Sequence, residues 1–477
     1  MDHGLFDHVK KRLKRKQKHH SIVKSLAKQG YHEAHVRKVI AVLETTEKTI
    51  QKQEISEEKL IKKFMVKEVL DKIAYGFGSQ QFTNILFSQI GASYLAIGLV
   101  NGINVVIGLL LSLVLRDYLK LHDIRKRVIG TSGFLFGIMF FLLALARFYS
   151  MSWLFIIAFI LSALGVVFLG DIYVKEYAES LKKEKVGYAL SSMTRFGILI
   201  ITFSLVFSAY LMDYFPVDGK EVTLFGQTFW VYGYLLSFFI TAITFILSSL
   251  VLHSLKREAK IEEVKAGVSA LLKEQIEKTG KYLHLFAANK IILLLLLASI
   301  ITGLVQTLGN TFYGIFIYKT FGATGFGGFL NVAMIFIVAL ISAIFAPTIA
   351  RMLSKKYGNV PLLVFGTVLV ALLPLSYYRP TLTTIAMATV CGVIGSAISG
   401  LATGLLISNR LPEAEREVYY SSYSLLITVP YILLFPLGAY LADVYALGPS
   451  FFLALALLLI VPVILYFSLF FVEEQVL

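Results

Sequence analysis

The sequence predicts an all-α membrane protein with twelve transmembrane helices in two pseudo-symmetric six-helix bundles, and three features carry that expectation: composition, recurring apolar runs and an alternation of basic loops. Of the 477 residues, 57% are hydrophobic and only 16% charged, against roughly a quarter charged in soluble domains. Runs such as IILLLLLASIITGLVQTLGN, from Ile291 to Asn310, match the roughly 20 residues that a helix needs to cross a hydrocarbon core of about 30 Å. Such a chain is not a soluble enzyme.

Taken in order, the spans are expected at 66–90, 94–115, 128–147, 151–171, 187–211, 228–252, 289–315, 324–347, 359–377, 381–408, 420–441 and 449–472. The first is the least apolar, because Lys67, Glu68, Asp71 and Lys72 stand at its start. The formal charge of +15 would suggest nucleic acid in a soluble protein, but its placement favours membrane topology and no nucleic-acid partner. Lys and Arg crowd the loops after Arg116, between Lys175 and Lys185, between Lys256 and Lys290, and from Arg351 to Lys356. The alternate loops hold only Arg147, Lys220, Lys319 and Arg379. The positive-inside rule then puts both termini and the long central loop in the cytoplasm of a multi-pass cell-membrane protein.

Residues 1–63 read as a basic cytoplasmic extension without a cleavable signal peptide. The spacing of Ile22, Leu26, Val36, Ile40 and Leu43 suits two short amphipathic helices. The plain reading is a positively charged anchor; sharper ones are contact with anionic lipid through Lys10 to Lys18 or a regulatory hairpin. His19 and His20 on a flexible basic tail make a poor metal cage. Cys391 is the single cysteine and lies in an apolar span, so neither a disulfide within the chain nor a cysteine metal site is available. No cofactor is expected, and no phosphate-binding loop is present. The remaining divisions are a bundle over 64–253, a linker over 254–288, a second bundle over 289–472 and a short cytoplasmic end at 473–477.

Sliding the chain on itself by about 230 residues superposes Gly98 on Gly328, Asn101 on Asn331 and Ser112 on Ser342. The same shift sets Arg125 and Lys126 on Lys355 and Lys356, and Ser191 and Ser192 on Ser421 and Ser422. A six-helix unit therefore occurs twice, in parallel, the arrangement in which a binding site forms at mid-membrane between halves.

With these features the chain resembles the major facilitator superfamily over residues 66–472. The family's loop signature after span 2 is matched by Asp117 and the cluster Arg125, Lys126, Arg127, with Leu113 where the family has glycine; the second copy keeps Lys355 and Lys356. The resemblance implies that Asp117, Arg125 and Lys355 belong to a gating latch, and that spans 1, 4, 7 and 10 line a central cavity. Asp171, at the end of span 4, is either an interfacial charge or part of a cytoplasmic gate.

On those spans Gln80, Asn84 and Ser88 share one helical face, and Gln306, Asn310 and Tyr313 share another. An unpaired amide in hydrocarbon costs several kcal/mol, so these side chains face either a cavity, as substrate contacts, or another helix, as interhelical hydrogen bonds. Arg195 in span 5 either snorkels to the surface, pairs with Asp171, or serves an anion in the cavity. No carboxylate stands mid-span, which leaves Asp71 as the candidate for proton coupling. The expected function is movement of a small, polar, neutral or weakly anionic solute by alternating access, by a monomer in the bilayer. The rivals are a flippase or drug exporter of another two-halved superfamily and a transport-inactive sensor; a membrane enzyme is disfavoured for lack of a buried catalytic cluster.

Overall fold

The computed structural model describes residues 19–28, 33–121, 125–165, 183–224, 226–254 and 289–474, together with 273, 277 and 280. The chain divides into two compact units, Met1–Met65 and Val66–Leu477. In the first, α1 (His19–Ala27) and the early turns of α2 (Glu33–Phe77) bury Ile22, Val23, Leu26, Val36, Val39 and Ile40 together. Where the spacing suggests two short helices, the second is the start of a 45-residue helix. No proline or glycine interrupts it before Gly76, so nothing in its backbone chemistry stops it at the expected boundary.

The second unit is helical. Its N-terminal part comprises the end of α2, α3 (Gln80–Gln89), α4 (Tyr94–Leu121), α5 (Arg125–Phe148), α6 (Ser152–Leu161), α7 (Lys183–Tyr214) and α8 (Gly233–His253). Its C-terminal part comprises α9 (Lys290–Phe321), α10 (Gly328–Ser354), α11 (Asn359–Ser376), α12 (Leu382–Arg410), α13 (Glu413–Val444), α14 (Pro449–Leu458) and α15 (Ile460–Glu474). Among the described residues nine helical stretches are long and apolar enough to cross a membrane, with shorter apolar helices at Ser152–Leu164 and Pro430–Val444. Their outer faces carry exposed Leu199, Phe203, Leu433 and Phe467. Lipid, not protein, is the solvent for those side chains.

Two features depart from the expected pattern. Span 1 is broken: α2 ends at Phe77, and α3 restarts at Gln80 after Gly78 and Ser79. A β-carbon on Gly78 would lie 2.6 Å from Phe140 and from Thr241, so the chain passes closest to α5 and α8 where it carries no side chain. A β-hairpin also interrupts the all-α architecture, with β1 (Lys220–Leu224) antiparallel to β2 (Gln227–Val231) and Lys220 opposite Val231. Gly226, at φ 79°, supplies its turn, and the flanking Val222, Thr223, Thr228, Phe229 and Trp230 favour extended chain.

Consecutive spans reverse direction, so the two ends of the helix stack can be named by what they hold. One is the hairpin face, with Arg147, β1 and β2 and the turn after Phe321. The other is the basic face, with Lys290, Arg351, Lys355 and Lys356. In the C-terminal half α11 and α12 meet through Gly366 and Gly395: a β-carbon on Gly395 would stand 2.5 Å from the Gly366 carbonyl, and the reverse contact is 2.8 Å. Small residues let two backbones touch. Gly400 and Gly404 on the same helix have open space beside them. Gly395→Ala should therefore destabilise the protein by about 1–3 kcal/mol, read as a lower melting temperature in detergent, whereas Gly404→Ala should leave the melting temperature unchanged.

Candidate functional site

Where the resemblance implies one central cavity between the halves, each half holds a cavity lined by its own residues, from spans 1, 2, 3, 4 and 6 in the N-terminal half and from spans 7, 9, 10, 11 and 12 in the C-terminal half. The N-terminal one, about 340 Å³, is lined by Tyr75, Gln80, Thr83, Asn104 and Ser162 over a floor of phenylalanines that includes Phe136 and Phe140. The C-terminal one, about 350 Å³, is lined by Ser299, Thr302, Gln306, Ser396, Ser399 and Thr403, with Tyr419, Tyr423 and Tyr466 closing one side. Among the described residues, no lining residue of either cavity is charged. Gln306 stands midway along α9, and Tyr419 lies two turns from the start of α13. The C-terminal cavity therefore runs from mid-depth toward the basic face.

The polar groups of this cavity are mostly committed to one another. Gln306 Nε2 donates to Ser396 Oγ at 2.9 Å, and Ser299 is hydrogen-bonded with Tyr423 and Tyr466. Ser399 Oγ is buried and has no hydrogen-bond partner among the described residues. A buried hydroxyl that can both donate and accept is costly unless something supplies its partner, and this one borders the cavity.

Toward the hairpin face the halves are sealed by amides. Gln81 Nε2 donates to the carbonyl of Asn310, while its Oε1 accepts from the Gly314 amide at 3.0 Å. Asn84 Nδ2 donates to the carbonyl of Thr311 at 3.1 Å. Behind it Asn101 Nδ2 donates to Asn84 Oδ1 at 3.0 Å, and Gln80 Nε2 donates to Asn101 Oδ1 at 2.7 Å. One connected path thus leads from the N-terminal cavity, through three amides, to the backbone of α9. Higher on the same face Gln89 Nε2 donates to Tyr318 at 2.8 Å, and Lys319 Nζ donates to Tyr94 at 2.7 Å. Phe82 meets Phe329 edge-on, with ring centres 5.5 Å apart.

The residues singled out from the sequence fall in different places. Gln80 and Gln306 line the two cavities. Asn84 is fully buried in the seal, and Asn310 gives its carbonyl to the seal while its side chain is exposed. Tyr313 packs inside the C-terminal half, stacked on Tyr377 with 4.6 Å between ring centres and on Phe452 with 5.7 Å. Asp71 is buried on α2, ion-paired with the fully buried Lys67 and accepting a hydrogen bond from Ser248. Lys355 is exposed at the end of α10. Asp171 lies outside the described residues, as do the side chains of Arg195, Asp117 and Arg125. Gln81 was not among the sequence candidates: the four-residue spacing selects Gln80, although the next residue is the one that reaches the other half.

Two contacting helical halves, each with a polar cavity whose described lining is uncharged, define a polytopic membrane protein built like a transporter. Residues 74–429 match the profile of the Major Facilitator Superfamily, and the chain belongs to that family. Among solved structures it is similar to a variant of the nucleoside transporter NupG, at 13% identity and TM-score 0.68 over 86% of this chain and 100% of that one. It is also similar to a D-xylose-proton symporter, at 15% identity and TM-score 0.57 over 85% and 97%. A third is PepTSo2, at 11% identity and TM-score 0.59 over 87% and 100%. No curated protein matches in sequence.

The seal makes a quantitative prediction. Gln81→Leu keeps the volume and removes both bonds to α9, at about 0.6–1.7 kcal/mol per interhelical hydrogen bond. It should lower the melting temperature of the detergent-solubilised protein. Gln80→Leu, which loses only a contact within the N-terminal half, should lower it less.

Proposed function

We propose that this protein is a secondary transporter that carries a neutral, hydroxyl-bearing solute by alternating access, the two halves rocking about the cavities described above. The observation that carries the reading is the described lining: hydroxyls and amides with aromatic rings and, among the described residues, no charged side chain. A solute with a net charge would enter such a lining without a counter-charge, at a large desolvation cost. A sugar or nucleoside, with several hydroxyls and an apolar face, meets donors, acceptors and rings in kind. The nucleoside and xylose transporters among the similar folds are named for solutes of that chemistry, which supports the reading. Gln306 and Ser399 are assigned as contacts in the C-terminal half and Gln80 in the N-terminal half. Arg195 would matter only for an anionic group on the solute; Asp117, Arg125 and Lys355 remain proposed latch residues and Asp171 a proposed gate residue, assigned to the cytoplasmic side by the positive-inside rule.

Coupling is assigned to the Asp71–Lys67 pair. Burial penalises both charges and each offsets part of the penalty on the other, so protonation of Asp71 would remove a negative charge that stabilises the buried Lys67 ammonium. Taking up or releasing a proton therefore changes the packing energy of α2 against α8, which carries Ser248.

Flux into proteoliposomes tests both parts after a thermal-shift screen of sugars, nucleosides, amino acids and organic anions has named the solute. Gln306→Ala and Ser399→Ala should each weaken binding about 5- to 30-fold, as loss of about 1–2 kcal/mol implies. Asp71→Asn should abolish acceleration by a pH gradient while leaving solute exchange intact. A charged solute as the sole hit, or unchanged binding in both cavity variants, would overturn the solute assignment.

A further inference from the structure

We infer that Asp213 and Asp443 form a paired gate that closes the hairpin face, each carboxylate capping the first turn of a helix that belongs to the other half. Asp213 ends α7 in the N-terminal half; its Oδ1 accepts from the Phe329 amide at 2.9 Å and its Oδ2 from the Leu330 amide at 2.8 Å, both in the first turn of α10. Asp443 ends α13 in the C-terminal half; its Oδ1 accepts from the Tyr94 amide at 2.8 Å and its Oδ2 from the Leu95 amide at 3.0 Å, both in the first turn of α4. The four bonds are the same device built twice.

The physics makes these contacts closing elements. The first amides of a helix have no partner within it and carry its partial positive charge, so a carboxylate there gains two charge-assisted bonds and a favourable dipole. The residue before α10 does not supply that cap: it is Gly327, which has no side chain to accept there. Gly327 is also what admits the carboxylate, since a β-carbon on it would lie 2.7 Å from Asp213 Oδ2, and its φ of 123° suits glycine. When the halves part at this face, each carboxylate loses its two amide partners, and the amides of Phe329, Leu330, Tyr94 and Leu95 lose theirs, while α4 keeps the bond from the Ala96 amide to Ser93 Oγ.

The internal repeat supports a shared role. The shift of about 230 residues that relates the halves carries Asp213 onto Asp443. The amides they bind, at Phe329 and Leu330 against Tyr94 and Leu95, sit five residues out of that register. The helix starts have drifted while the carboxylate-to-amide contact is kept in both halves, as expected if the contact itself is what is used.

The inference rests on the alternating-access reading, not on the solute, and its test needs neither solute nor flux. Spin labels at Glu221 and Arg379 report the hairpin face, and labels at Ser254 and Lys355 the basic face, each pair in a Cys391→Ser background in lipid nanodiscs. Asp213→Asn and Asp443→Asn, singly and together, should move population from short to long distances at the hairpin face, by about three- to tenfold per neutralised carboxylate, and shorten the basic-face pair. Asp218→Asn removes an equal charge from the same exposed face and should change nothing. The gate is overturned if both distance distributions stay put in the single variants, or if Asp218→Asn shifts them as much as Asp213→Asn does. The single variants each lose one cap and serve if the double variant does not fold. A failed solute screen would leave this outcome readable, and unchanged distances would leave the solute assignment standing.

Discussion

The bond on which the arrangement depends is the double contact of Gln81 with the backbone of α9, made to the Asn310 carbonyl and the Gly314 amide. An amide side chain within a membrane must find partners, because hydrocarbon supplies none. Among the described residues, Gln81 finds them in the opposite half. The break at Gly78 and Ser79 makes this possible by ending α2 and starting α3. Asn84, one turn later, repeats the contact at Thr311, so the joint between span 1 and span 7 has two polar anchors and an aromatic one, Phe82 on Phe329.

A seal on one side of mid-depth gives the cavities their meaning. In α9 the sealing residues, Asn310 to Lys319, follow Gln306, which borders the cavity. One helix thus closes one face and lines the space open toward the other. Asn101 links the seal to Gln80 in the N-terminal cavity through hydrogen bonds of 2.7 and 3.0 Å. A solute that takes up the Gln80 amide would compete with a partner of the seal. Binding and gating would then act on the same few amides, which is the differential contact that a ligand needs in order to shift a conformational equilibrium. Hydroxyls and aromatic rings fill the remaining described lining, and the buried Ser399 hydroxyl in it has no hydrogen-bond partner among the described residues.

Much of the fold was legible in the sequence because lipid imposes a simple rule: long apolar runs and loop charge are read directly from residue type. The helical class and the membrane location follow from those, while the family was legible as a resemblance through the repeat and the loop after span 2 and is shown by the profile match over residues 74–429. Individual sites were legible only in part. Four-residue spacing identified Gln80 and Asn84 as one face, yet a helix with 3.6 residues per turn also brings Gln81 to the side of Asn84, and apolarity does not say which side meets the other half. Tyr313 shares a face with Gln306, but Tyr377 and Phe452 capture its ring. Asp213 and Asp443 read as ordinary charges at span ends; their relation under the repeat shift was the available signal, and only geometry reveals that each reaches across. The β-hairpin was hidden by the adjoining apolar span, whose hydropathy absorbed QTFWV, and the break in span 1 by the aromatic and β-branched residues around Gly78.

The central claim, a seal at the hairpin face above a cavity open to the basic face, is tested most directly by one accessibility measurement. Ser396 is exposed and lines the C-terminal cavity. In a Cys391→Ser background, Ser396→Cys should react with a membrane-impermeant maleimide applied to vesicles of one orientation, from the basic face, and stay unlabelled from the hairpin face. Labelling from the hairpin face alone would contradict the account.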